Sequence, residues 1–149
     1  MKKIVVLTFL LILFLGKVMI AQNREDKIAA GDLIVVITGL KNNKGDVKIG
    51  LFNSENSFSA KGEKYRGAVI EIKEKKAVWI CHNIPFAYYA VKVFHDEDKD
   101  DRLDTNLLGM PTEHFGFSNN AKALFGPPGF DKAKFLFHTD GQKIEIKLQ

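Results

Sequence analysis

Apolar and polar residues alternate with a period of two along most of this chain, and helical periodicity is nearly absent beyond the first twenty residues. DLIVVITGL (32–40) is apolar on both faces, which predicts a central strand ending at Gly39. DVKIGLF (46–52) sets Val47, Ile49 and Leu51 against Lys48 and Gly50, and Asn42-Asn43-Lys44-Gly45 before it has hairpin-turn composition. AVIEIK (68–73) puts Ala68, Ile70 and Ile72 on one face, and AVWICHNIP (77–85) is a strand stopped by Pro85. YYAVKVFHD (88–96) turns Tyr89, Val91 and Val93 inward and Lys92 outward. AKFLFH (133–138) and KIEIKL (143–148) alternate again, joined across Thr139-Asp140-Gly141. About seven short strands separated by turn signals predict an all-β chain: a single antiparallel β-sandwich, immunoglobulin-like or transthyretin-like. Tyr89, just after the Pro85 turn, has the placement of a tyrosine corner, and simple core packing is the alternative.

Two segments break the alternation. Residues 53–67 are polar and read as a surface loop with room for one helical turn. Residues 109–132 are long, rich in Gly and Pro, and carry Phe115, Phe117, Phe125 and Phe130. Loops of this length are functional or packed as a unit of their own. These rings, with Tyr88, either form an apolar surface for a sugar or peptide or staple the loop to the sandwich.

The opening residues read as a targeting segment. Lys2 and Lys3 precede an apolar run from Ile4 to Leu15 that only Thr8 interrupts, and Met19-Ile20-Ala21 places a small residue before Gln22. This is the order of a secretory signal peptide over 1–21, leaving 22–149 as one sandwich domain. As a helix the run would reach roughly 18 Å, short of a ~30 Å hydrocarbon core, so no membrane span is expected after cleavage. Lys2, Lys3 and Lys17 fall in this segment; without them 19 basic residues face 18 acidic ones, so the basic character is largely the leader's. A nucleic-acid partner has no support. The single cysteine, Cys81, sits in an apolar run and reads as a buried thiol.

Charge matters most in one place. From Asp96 to Asp104 six of nine residues are acids. Counting Asp96 as position 1, Asp98 is 3, Asp100 is 5, Arg102 is 7 and Asp104 is 9. This is the spacing of EF-hand-type calcium loops, with carboxylates at 1, 3 and 5, a backbone carbonyl at 7 and a further ligand at 9. Calcium needs six to eight oxygens at about 2.3–2.6 Å, which a curled loop with alternate carboxylates supplies. Position 6 is Asp101 instead of the usual Gly, and position 12 is Leu107 instead of Glu. The last ligand must therefore come from Asn106, Glu113 or water. A weak Ca2+ site between strands is expected, against the alternative of a solvated acidic turn.

His95, His114, His82 and His138 belong to no HExxH, CxxC or GxSxG pattern, and no phosphate loop is present. The chain reads as a non-enzyme. A metal-dependent hydrolase would require His95 and His114 to converge on one ion.

His95-Asp96, Leu103 to Asn106, Gly109 to Pro111, Gly116 to Asn120 and Gly126 to Phe135 together resemble a bacterial family catalogued as domain of unknown function 2141. The similarity spans nearly all of 22–149. It implies export and one β-rich domain, and brings no activity. The family usually has Gly where this chain has Asp101 and Ala87. The sequence thus points to an exported protein, periplasmic or secreted, with a binding or structural role toward an envelope ligand or protein.

Overall fold

The computed structural model describes residues 29–124 and 126–149. The expected signal segment and Phe125 lie outside the described residues. Among the described residues eight strands are formed: β1 (Ala30–Thr38), β2 (Asp46–Phe52), β3 (Arg66–Ile70), β4 (Ala77–Pro85), β5 (Ala87–Asp96), β6 (Phe115–Phe117), β7 (Phe135–Phe137) and β8 (Gln142–Lys147). Single-turn helices α1 (Glu55–Phe58) and α2 (Phe130–Ala133) lie in the two non-alternating segments.

The strands make two sheets, as the alternation implies. One has the order β4–β1–β8; in the other, β3–β2–β5, the far edge of β5 carries both β6 and β7. Pairing is antiparallel except between β1 and β8, which run parallel from Leu33↔Gln142 to Thr38↔Lys147. The turn at 42–45 does not make a hairpin. β1 has both edges occupied, by β4 and β8, so β2 has no edge to join and the turn carries the chain to the other sheet.

Alternation decides the core. Leu33, Val35 and Ile37 of β1 face Val47 and Leu51 of β2 and Val91 of β5, all fully buried. Each such side chain contributes about 1.5–3 kcal/mol by leaving water. Tyr89 is buried among them, its ring 5.8 Å from that of Tyr65. Its Oη donates to the Pro85 carbonyl at 3.0 Å, so the tyrosine corner forms. Burial pushes its pKa up to about 12.

A second apolar cluster lies under the long loop. Phe52, Phe58, Ala90, Phe117 and Ala133 are buried in it, with Phe115 and Phe130 packed alongside. The buried Ser118 ties it together: its Oγ accepts the Val91 amide at 2.8 Å and donates to the Ala133 carbonyl at 2.6 Å. Ser118 thus holds the loop between β6 and β7, the two short strands that share one edge of β5.

Candidate functional site

β5 ends at Asp96, directly across the sheet from Asp46 at the start of β2. The Asp96 side chain is fully buried because the following loop curls back over it. The amides of Lys99 and Asp100 donate to its Oδ1 at 2.8 and 3.2 Å, and that of Asp101 to Oδ2 at 3.1 Å. Burial opposes ionisation of Asp96. The Asp101 and Lys99 amides and the Lys48 ammonium outweigh it and hold the carboxyl below its ordinary range. This curl requires Asp101, at position 6, to adopt φ +66°, the left-handed region where Asp is better tolerated than most residues.

Lys48, near the start of β2, brings a cation from the neighbouring strand to this loop. Its Nζ is 3.3 Å from Asp96 Oδ2 and 3.4 Å from Asp46 Oδ1, and it also binds Asp101. The bond to Asp101, with those to Asp96 and Asp46, pushes its pKa up. The turn at 42–45 closes in from the other side. A Cβ on Gly45 would stand 1.8 Å from the Asp96 carbonyl oxygen, and Gly45 has φ +67°. Glycine is required there by both close approach and conformation.

Two carboxylate groupings result. Oxygens of Asp96, Asp98 and Asp100 lie within 4.8 Å of one another, as do those of Asp98, Asp104 and Glu113, with Asp98 in both. Oxygens on one calcium ion can be at most about 5 Å apart, twice the bond length, so either set fits a hard divalent cation. Glu113, largely buried, reaches in from the strand return. Its Oε1 accepts the Glu97 amide at 2.8 Å and its Oε2 the Asp104 amide at 3.1 Å. Of the two further candidates from the sequence, Glu113 joins a carboxylate grouping. Asn106 Oδ1 accepts the amides of Leu108 and Met110 at 2.9 and 3.1 Å, pinning a turn. Arg102 donates its amide to Asp100 Oδ1 at 2.8 Å, which continues the curl.

His95 and His114 do not form a ligand pair. His95 is fully buried with Nε2 2.7 Å from the Lys44 carbonyl, and His114 Nδ1 is 3.2 Å from the Gly39 carbonyl. Neither belongs to a carboxylate grouping among the described residues. His82 pairs with Asp32 at 2.7 Å at the far end of β1 and β4.

The aromatic positions divide. Phe117 is buried, and Phe115 and Phe130 pack on Phe117 and Phe58, at 5.8 and 5.9 Å between centroids. Tyr88 is exposed, with Lys134 Nζ 5.6 Å above its ring. Phe115, Phe117 and Phe130 therefore staple the loop. Phe115 and Phe117 also border a concavity among the described residues, on the outer face of the β3–β2–β5–β6 sheet: a groove of about 650 Å³ lined as well by Lys48, Lys64, Phe94, Asp101 and Leu103. The cross-strand pair Gly50↔Gly67 lowers its floor. Sequence reading missed it because two glycines become neighbours only through strand register.

A two-sheet β domain with an acidic loop leaving a central strand is the class these features define. The chain belongs to the bacterial family described as "Uncharacterized protein conserved in bacteria (DUF2141)", whose model matches residues 35–145. No curated protein and no solved structure matches the chain significantly.

Proposed function

We propose that this is an exported, non-enzymatic protein, periplasmic or secreted, whose acidic loop binds one calcium ion and serves a binding or structural role in the cell envelope. The observation that carries the reading is Glu113. A buried carboxylate from the far end of the loop joins Asp98 and Asp104, standing in for the absent Glu at position 12. Asp96, Asp98, Asp100, Asp104 and Glu113 are all hard oxygen donors, suited to Ca2+ rather than to a softer metal. Lys48 and the amides around Asp96 already offset part of the negative charge, which favours a weak site, in the ~10⁻⁴–10⁻³ M range of extracellular modules.

Thermal unfolding of the purified protein in chelator, then in millimolar calcium or magnesium, tests this. A calcium-selective rise that disappears in Asp98→Ala supports the site. An unchanged melting temperature with both ions refutes it. A second reading, a small-ligand module, is favoured by the outer groove rather than by the Tyr88 platform. It fails if a fluorescent apolar anion shows no saturable binding that Phe94→Ala weakens.

A further inference from the structure

Residues 105–111 leave the acidic loop as a narrow prong. Thr105 and Pro111 bridge its base, and the Thr112 amide donates to the Asp104 carbonyl at 2.9 Å. Its two roots are thus Asp104 and Glu113, both members of one carboxylate grouping. The tip is tightly held. Asn106 Oδ1 accepts the Leu108 and Met110 amides, the Asn106 carbonyl accepts the Gly109 amide at 2.8 Å, and the Asn106 amide donates to the Met110 carbonyl at 2.9 Å. This fixed turn turns its apolar side chains outward: Leu107 is fully exposed, Leu108 84 % and Met110 61 % exposed. Scattered exposed apolar residues are ordinary, but three within four residues on a pinned turn are a built feature.

We infer that this prong inserts into the surface of an anionic lipid bilayer when calcium occupies the loop at its roots; the inference rests on the calcium reading above. A lipid surface is favoured over a protein partner by shape. Three side chains on a convex tip are far fewer than the 20–30 residues a side of a stable protein interface. A fluid acyl boundary accepts apolar side chains without shape complementarity. Charge sets the conditions. The empty-handed loop carries six acids from Asp96 to Asp104 and repels anionic headgroups. A bound cation offsets that charge and offers open coordination positions to headgroup oxygens. Arg102, exposed and without an ion pair among the described residues, adds a cation on the same loop. No helix among the described residues is long and apolar enough to cross a membrane.

Cosedimentation with vesicles of phosphatidylglycerol and phosphatidylcholine in roughly equal parts tests the proposal, in millimolar calcium and in chelator. The wild-type protein is expected to bind with calcium, and Leu107→Ser/Leu108→Ser to bind more weakly by about tenfold or more, since two apolar insertions are lost. Both leucines are exposed, so the variant should keep its fold and its calcium-induced rise in melting temperature. A calcium-induced thermal shift without vesicle binding overturns the membrane proposal and leaves the ion site standing. Absence of both overturns the calcium reading as well. Binding that is undiminished by the two substitutions, or equal in chelator, overturns the proposal.

Discussion

The backbone amide of Asp101 donates to Asp96 Oδ2 at 3.1 Å, and Asp101 holds φ +66° to do so. The loop's curl thus hangs on a left-handed residue that is not glycine. Asp101→Val is expected to destabilise by about 1–3 kcal/mol, because a β-branched residue resists that conformation. Asp101→Gly relaxes the backbone and forfeits the ion pair with Lys48, whose Nζ keeps Asp96 and Asp46, so it should cost less than Asp101→Val. Urea denaturation of both variants checks this; equal losses would mean the conformation is not what Asp101 supplies.

Gly45 presses on the same strand end from the opposite side. Gly45→Ala should cost about 2 kcal/mol or more, since its Cβ would meet the Asp96 carbonyl oxygen and its φ is +67°. A melting temperature within error of wild type would show that the turn can retreat freely.

Glu113 and Asn106 are told apart by their partners. At ~tenfold over its dissociation constant calcium should add about 1.4 kcal/mol to the native state. Glu113→Gln is expected to abolish that increment, while Asn106→Ala should retain it although its turn loosens. Differential scanning calorimetry with and without calcium separates them, and the reverse ranking would reassign the ligand.

Tyr89→Phe removes the bond to the Pro85 carbonyl and should cost about 1 kcal/mol. Tyr88→Phe, at an exposed ring, should stay within about 0.5 kcal/mol. Equal effects in denaturant titrations would deny the corner a role.

Asp32 provides a pH test away from the acidic loop. The Asn83 amide, then the His82 imidazole, hold its pKa below the ordinary 3.8. A depressed carboxyl stabilises fully above its unfolded pKa, and that contribution is lost as pH falls through the folded value. Melting temperature should therefore drop less steeply below about pH 4 in Asp32→Asn than in wild type. Parallel acid profiles would show that the pair is without consequence for stability.

What the sequence by itself determined is the part ruled by local physics. Period-two alternation placed β2 and β5 to within two residues, because a half-buried strand must sort its side chains by face, and largely apolar runs placed β1 and β4 as closely. Carboxylate spacing marked the acidic loop, and Pro85 before Tyr89 marked the corner. β6 stayed hidden, since Phe-Gly-Phe is too short to show a period and owes its strand to the free edge of β5. The sheet assignment was decided only by tertiary structure: an occupied edge turned the 42–45 segment from a hairpin into a crossing and left β8 parallel to β1. The placing of Glu113 beside Asp98 and Asp104 and the exposure of Leu107 and Leu108 were decided in the same way. Both depend on how the chain returns from Asp104 to β6, and no local pattern encodes that path.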